Sequence, residues 1–435
     1  MGIPAEELKD SIGAVRTMMK KYVFLTPTIA SMGGAQMYIR NRALDLLGKG
    51  WAVDIITAQK GKVYIPDLRK YDLIIPELRF CSYLFSKKKR ISIVDRLSKR
   101  IMDGEYDEIV IESTCLSEST WAEAIAQRCN ARHFAYLLQE DNTLTSKIDQ
   151  DFINFKFQRR ELASITDQSV FDMFSNFSHI AMEESVGCHL PAYCNNVEED
   201  IDSEWINIIK SRQFDYLVGC LSRLDKPFIM PALHQFIKYV CDHPDKRYLF
   251  VMIGGAPESG HFEKNIRKQF RNINNVELLI TGYMFPISTR LLNIFDVFFT
   301  SAGSSWVCMR SGVPTISFDG NDYLPIGVLG RTTNHSLFRG EDEPPLDFNK
   351  LMDEILIQGS FECQEAHHEL NKPDFNQHDS FLQSMSKERK YFSFDDIKLC
   401  AQEKRLSYSL FLIGPIGYTM LSDIKNSIDN CLSKQ

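Results

Sequence analysis

Short apolar runs alternate with longer amphipathic stretches from the start of the chain to about Leu138. Tyr22 to Thr26 is predicted as a buried strand, Pro27 to Met32 as a loop, and Gly33-Gly34-Ala35-Gln36 as the opening of a helix that ends near Gly48-Lys49-Gly50. A strand over Ala52 to Thr57 follows. Leu73-Ile74-Ile75, a helix over Lys87 to Met102, a strand from Glu108 to Ile111, a helix over Ser117 to Cys129 and a strand from His133 to Leu138 continue the series. Runs of β-branched and aromatic residues separated by helix-length segments predict a parallel sheet with helical crossovers, so the fold class is α/β.

After Ser164-Ile165-Thr166 and Ile180-Ala181-Met182 the apolar pattern stops, and Tyr193 to Glu204 is polar and acidic. That stretch is predicted as an interdomain linker. A second series then runs through Tyr216 to Cys220, Tyr248 to Ile253, Val276 to Ile280, Val297 to Phe299 and Pro314 to Phe318. The predicted organisation is a first α/β domain over 1–196, a second over 197–380 and a helical segment over 381–435. The longest apolar run, Tyr408 to Leu421, is interrupted by Gly414, Pro415 and Gly417 and falls short of the roughly 18 residues that span a bilayer. It needs a packing partner if it is not to form an exposed patch.

Composition narrows the function classes. The 435 residues, 44% hydrophobic and 25% charged, suit two or three globular domains. A net charge of −7 argues against a dedicated nucleic-acid binder. Eleven scattered cysteines without a C-x-x-C pair predict a reduced, cytoplasmic chain without a zinc site, and the mixed, charged stretch Met1 to Lys21 does not read as a secretory signal. Against the acidic background one stretch is basic: Phe80, Tyr83, Leu84 and Phe85 lead into Lys87-Lys88-Lys89-Arg90. It reads either as a solvated helix face or as a peripheral membrane contact suited to anionic headgroups.

The chemistry concentrates at turns that follow strands. Gly33 and Gly34 let backbone approach a ligand closely, and a helix amino terminus offers unpaired N–H groups and positive potential to a phosphate. No G-x-G-x-x-G dinucleotide fingerprint is present. Ser222-Arg223-Leu224-Asp225-Lys226 occupies the matching turn of the second series, where a solvated turn salt bridge with Asp225 is the alternative to a functional role for Arg223 and Lys226. Gly303, Ser304 and Ser305 form a Ser-Gly-Ser type turn before a helix and can hold a phosphate through amides and hydroxyls, although an N-cap serine is the alternative. Asp319, Asn321 and Asp322 stand at a strand's carboxyl end, where open α/β sheets place ligands, and turn chemistry explains them equally. Gln139-Glu140-Asp141 ends a strand of the first series and reads either as a surface loop or as a site where Glu140 takes a proton from a hydroxyl. His133 reads as structural, and Cys188-His189 and His367-His368 lack partners at metal spacing.

In the order and spacing of these motifs the chain resembles the GT-B glycosyltransferases, and within them the large retaining group whose two domains open with G-G-A and G-R-L-D. The matching residues are Gly33-Gly34-Ala35-Gln36, Ser222-Arg223-Leu224-Asp225-Lys226, Leu249 to Gly255, Ile280-Thr281-Gly282-Tyr283, Phe295 to Phe299 and Met309 to Ile316, spread over about residues 21 to 330. The resemblance implies two Rossmann-like domains facing a cleft, an acceptor domain first and a nucleotide-sugar donor domain second, with a C-terminal segment from about Phe394 to Leu432 that crosses back onto the first. It implies a UDP- or GDP-sugar donor, no metal or other cofactor, and a saccharide or lipid-linked saccharide acceptor, in a role such as surface polysaccharide assembly. Arg223 and Lys226 would neutralise the departing diphosphate, Gly254, Gly255, Gly282 and Tyr283 would line the nucleotide, and Asp319 would contact ribose or sugar. The chain departs from the family at the donor loop: the usual pair of glutamates is missing, and Val307 stands at the position of the second. That departure keeps a catalytically silent partner or sugar-binding subunit open as the alternative; a sugar-nucleotide epimerase would need more cleft carboxylates and histidines than are present. Oligomeric state is not legible.

Overall fold

The computed structural model describes residues 19–138, 144–175, 177–178, 187–194, 196–198, 201–256, 261–340, 342–361, 373–395 and 397–432, with side-chain surroundings as far as Lys425. Lys20–Thr26 (β1), Ala52–Thr57 (β2), Leu73–Ile74 (β3), Glu108–Ser113 (β4), Arg132–Leu137 (β5) and Leu162–Ser164 (β6) form a parallel sheet in the order β3-β2-β1-β4-β5-β6. Helices Gly34–Gly48 (α1), Lys87–Ile101 (α2), Leu116–Cys129 (α3), Lys147–Gln158 (α4) and Asp167–Phe174 (α5) run between or after the strands. Tyr38 and Ile39 of α1 pack with Tyr22, Phe24 and Ile55 on one face, while Ile93 of α2 and Trp121 of α3 pack with Val23, Leu25 and Ile111 on the other. Burial on both faces is why these strands read as continuous apolar runs rather than alternating ones. Two of the helix starts in this unit are capped by side chains, Ser86 accepting from the Lys89 amide and Thr166 from that of Ser169.

Val197–Glu198 (β7) and Glu204–Lys210 (α6) lead into the second unit, so the predicted linker carries a short strand of its own. The second sheet comprises Tyr216–Leu221 (β8), Tyr248–Ile253 (β9), Val276–Ile280 (β10), Val297–Thr300 (β12), Thr315–Phe318 (β13) and Pro325–Val328 (β14), with the separate strand Ile287–Ser288 (β11) pairing parallel to β7. Its order is β10-β9-β8-β12-β13-β14, parallel except for the antiparallel edge strand β14. Proline is tolerated at the start of that edge strand because the sheet does not continue beyond it. Helices Ile229–Asp242 (α7), His261–Gln269 (α8), Thr289–Leu292 (α9), Gly303–Arg310 (α10) and Phe348–Leu356 (α11) complete the unit. Phe236 of α7 packs on Phe250 and Phe299, whose rings stack at 5.2 Å.

The chain is back on the first unit by Phe375, a few residues before the 380 taken from the sequence as the end of the second: helix Asn376–Ser384 (α12) buries Phe381 and Leu382 in the core of the first sheet, beside Phe134. The last helix, Ala401–Leu432 (α13), is broken at Gly414, which takes a φ of 69°. Its inner side reaches the first unit through Leu410, Leu406 and Tyr418. Its outer side departs from expectation. Tyr408, Phe411, Leu412, Ile416, Met420 and Leu421 are all exposed, so packing on the first unit covers only one side of the apolar run. The triplet Ile180-Ala181-Met182 lies outside the described residues.

Candidate active site

The carboxyl ends of β1, β8, β9 and β12 face one cleft. Gly33 is the N-cap of α1 and Ala302 that of α10, and neither supplies a side-chain cap, so the first-turn amides of both helices have no internal hydroxyl or carboxylate partner at the cap. Cys194 lies between the two termini: a Cβ built on Gly34 would sit 3.9 Å from its Sγ, and one on Gly303 3.7 Å from it. The residues from the two halves that the sequence singles out, Gly33 with Gly34 and Gly303 with Ser304 and Ser305, are thus brought to one place. Ser304 is half-buried there. Ser305 is buried, and its Oγ has no hydrogen-bond partner.

Arg223 crosses from the second unit toward the first. Its Nε and Nη2 donate to the two carboxylate oxygens of Asp225 at 2.9 and 2.8 Å, a planar fork matched to a planar acceptor. Nη1 is the atom turned toward α1, 3.5 Å from where a Cβ on Gly33 would stand. The turn that carries Arg223 is tied down by backbone: the Ser222 amide donates to the Ile253 carbonyl and the Leu224 amide to that of Gly255. Lys226 is exposed at the end of the same turn.

Gly254 shows why glycine is needed at the end of β9. It holds φ at 153°, and a Cβ there would lie 1.9 Å from the Ser222 carbonyl oxygen, inside any allowed contact. Beside it, a Cβ on Gly255 would meet the Tyr283 ring at 2.6 Å. Gly282, with a φ of 72°, turns the chain so that Tyr283 comes over Gly255. From the first unit Tyr64 meets the Tyr283 ring at 4.4 Å, and Arg40 lies over Phe285 at 5.1 Å. Burial raises the Tyr283 phenol above its ordinary value, against the lowering effect of Arg223, and its hydroxyl has no partner.

Asp319 lies at the predicted strand end, and both its oxygens are engaged: one accepts from the Asn321 amide at 2.7 Å, the other from that of Arg339 at 2.9 Å. The segment 336–339 covers this corner, since Ala302 donates to the Ser336 carbonyl and Gly320 to that of Leu337. Glu140, with Gln139 and Asp141, lies outside the described residues. His133 is buried between Ser113, 2.9 Å from its Nε2, and Glu123, 2.6 Å from its Nδ1. Burial, helped by the nearby Lys156, lowers it to about 4, so it is a neutral core residue. Sequence reasoning missed Cys194, Tyr64 and Arg339. A lone half-buried cysteine, an aromatic in a short apolar loop segment and an arginine in a loop carry no local signal of the long-range contacts that matter here.

In sequence the chain matches no family model and no curated protein. Among solved structures, a glycosyltransferase from Rickettsia africae superposes with a TM-score of 0.55 at 11% identity, covering 85% of this chain and 94% of that one. HepE from Anabaena, in complex with UDP and glucose, gives 0.46 at 13% identity over 84% of this chain and 95% of its own. The likeness to the Rickettsia africae protein, added to two mainly parallel sheets whose carboxyl ends meet at a cleft, shows that this chain has the GT-B fold.

Proposed function

We propose that this chain is a glycosyltransferase that takes a sugar from a nucleotide diphosphate donor, UDP- or GDP-linked, and passes it to a saccharide or lipid-linked saccharide. One observation carries the reading: Arg223, fixed by its fork on Asp225, turns Nη1 toward the amino terminus of α1, in the cleft where α10 also begins. As the bond from the anomeric carbon to the diphosphate breaks, negative charge grows on the phosphate oxygens, and a fixed guanidinium with helix-terminal amides stabilises that charge more in the transition state than in the ground state. Lys226 and Ser304 assist from the same side, Gly254, Gly255, Gly282 and Tyr283 border the nucleotide, and Glu140 receives the acceptor's proton. The resemblance to the retaining group supports retention of configuration, and the fixed cation supports catalysis without a metal. The solved GT-B structure from Rickettsia africae is described as a glycosyltransferase, which supports the reaction class.

A second reading, a subunit that binds sugar nucleotide without turning it over, is favoured by the donor loop Thr300 to Trp306, which carries no carboxylate. Release of UDP or GDP from a panel of sugar nucleotides in the presence of saccharide acceptors separates the two. Hydrogen bonds to charged groups are worth roughly 1.5 to 3 kcal/mol, so Arg223→Ala is expected to lower kcat/KM by about ten- to a hundredfold. Part of the loss persists in kcat, and Arg223→Lys restores only part because the fork is gone. Unchanged kinetics and unchanged nucleotide affinity in a folded Arg223→Ala variant would overturn the assignment; ligand-induced thermal shifts without nucleotide release would establish the second reading.

A further inference from the structure

Among the described residues, the last helix, α13, has a partner on one side only. Inward, Leu410 is 4% exposed, and Tyr418 meets Phe80 edge-on at 5.6 Å, so the helix is seated on the one-turn helices Pro76–Arg79 and Ser82–Leu84 of the first unit. The Ser146 hydroxyl donates to Glu403 at 2.6 Å and fixes the helix at its start. Outward, Phe411 is 79% exposed and Tyr408 63%, and beyond the break at Gly414 the exposure continues through Ile416, Met420 and Leu421. From Leu406 through Ser422 there is no charged side chain. At 1.5 Å per residue that is about 25 Å of apolar surface along the two halves, far more than the scattered exposed leucines of an ordinary surface.

The surroundings of this ridge say what it meets. The chain carries a net charge of −7, yet the ridge is bounded by the exposed Lys404 and Arg405 at one end, while at the other the exposed Asp423 is followed by the exposed Lys425. The one-turn helix under it leads directly into the start of α2, where Lys87, Lys88 and Lys89 are exposed. Lys87 pairs with Asp395 and Lys89 with Glu77 across exposed or rim positions, and such pairs contribute little and exchange readily for another anion. An apolar ridge with a cation pair at its start and lysines along its flank matches the layered chemistry of an anionic bilayer surface: acyl chains below, phosphates at the level of the lysines. No helix of the described residues is long and apolar enough to cross a membrane, and the inner side of α13 is already committed to protein. The ridge therefore lies on a bilayer and does not span it.

We propose that α13 is a membrane-docking helix, lying in the headgroup region of an anionic bilayer with Phe411, Ile416 and Met420 inserted and Lys404, Arg405 and Lys425 on lipid phosphates. This goes beyond the transferase reading and does not depend on it, because docking is read without any donor or turnover. The test is co-sedimentation of the full chain with phosphatidylcholine vesicles and with vesicles that also contain phosphatidylglycerol, at low and high salt. The full chain should partition onto the anionic vesicles, more weakly at high salt. Phe411→Ser, Ile416→Ser and Met420→Ser combined should lower the partition coefficient at least tenfold; since all three side chains face outward, melting temperature stays at the wild-type value. Lys404→Glu with Arg405→Glu should also lower binding, with the same salt dependence lost. Equal partitioning of the wild type and the triple variant would overturn the proposal. So would a concentration-dependent dimer, seen by sedimentation equilibrium and dissolved by the triple variant, in a chain that ignores vesicles.

Discussion

Glu112 sits near the carboxyl end of β4 with no exposure, and its burial makes the stability of the first unit depend on pH in a direction opposite to that of most carboxylates. Tyr22 and Tyr38 both donate hydroxyls to its Oε2, at 2.5 and 3.1 Å, while Oε1 has no partner. Burial raises the carboxyl from its ordinary value to about 7, against the lowering effect of the Tyr22 and Tyr38 hydrogen bonds and of Arg42, whose guanidinium pairs with Asp45 and Asp379. The folded state therefore keeps a proton that the unfolded chain gives up near 4.5, so this group's contribution falls as pH rises from about 4.5 to about 7. Above 7 the folded chain carries the full cost of a buried carboxylate, roughly 3 kcal/mol at 1.36 kcal/mol per pH unit. Glu112→Gln keeps the carbonyl acceptor for both tyrosines and puts an amide where the proton would be. The variant should match wild type in urea denaturation at pH 4 and exceed it by as much as about 3 kcal/mol at pH 8. A difference between the two proteins that is the same at both pH values would refute the reasoning, since only ionisation of Glu112 separates them with pH.

Three other outcomes are expected. Gly254→Ala drives a Cβ into the Ser222 carbonyl at a φ of 153° and should cost ~3 kcal/mol or more, displacing the Arg223 turn and with it nucleotide affinity in a thermal-shift titration. Lys156, buried, donates to Glu123 at 2.8 Å and Glu161 at 2.7 Å; Lys156→Met removes the cation between them, leaving Glu123 with His133 and the Phe392 amide and Glu161 with Arg159, and should destabilise by about 3 kcal/mol at pH 7 in urea denaturation. Burial alone would raise Glu123, but Lys156 and His133 hold it at about 2, so the stabilisation it confers is present at neutral pH and is lost only as pH falls toward that value. Nucleotide release should be indifferent to a chelator, because cationic side chain and helix amides take the place of an ion at the diphosphate; turnover abolished by chelator and restored by manganese would count against that mechanism.

How much of this was legible in the sequence depends on whether a residue's partners are local. Tyr216 to Cys220 and Tyr248 to Ile253 are buried on both faces and were legible as strands because no polar position interrupts them. The pair Val197–Glu198 is strand only because Ile287–Ser288 lies beside it, ninety residues away, and two residues carry no period. Helix α4 has the helical spacing of Ile148, Phe152, Ile153 and Lys156 on its inner side, yet a buried lysine in that row hides the stripe until Glu123 and Glu161 are seen around it. In α13 the run is apolar all round, so period cannot say which side is covered; that is decided by Phe80 and its neighbours. The same division holds in the cleft. Gly33 and Arg223 announced themselves by turn chemistry after a strand, whereas Cys194 matters only because the chain passes it beneath two helices from different halves.

The donor loop is where sequence and structure bear on each other most directly. Ala302 takes a φ of 59° and a ψ of −139°, a conformation that residues with a Cβ seldom adopt, and its amide is held by the Ser336 carbonyl. Gly320 is held by Leu337 in the same way, and Arg339 closes the corner by donating its amide to Asp319 and its guanidinium to Asp322. The carboxylate that the sequence places best for ribose is thus spent in stitching segment 336–339 across the ends of β12 and β13. The glutamates that the resemblance leads one to expect are absent, and Asp319 does not stand in for them with a free oxygen. In the described part of the cleft the groups that remain to meet a diphosphate are the amides at the start of α10 with the Ser304 hydroxyl, those at the start of α1, the exposed Lys226, and the guanidinium of Arg223, whose Nη1 is turned toward α1. Amides keep their geometry in almost any substitution nearby, while Arg223 is a single side chain with a single anchor. Loosening that anchor by Asp225→Asn should therefore act like a weaker form of Arg223→Ala, lowering kcat/KM with the nucleotide still bound, because the cation remains but no longer points toward α1.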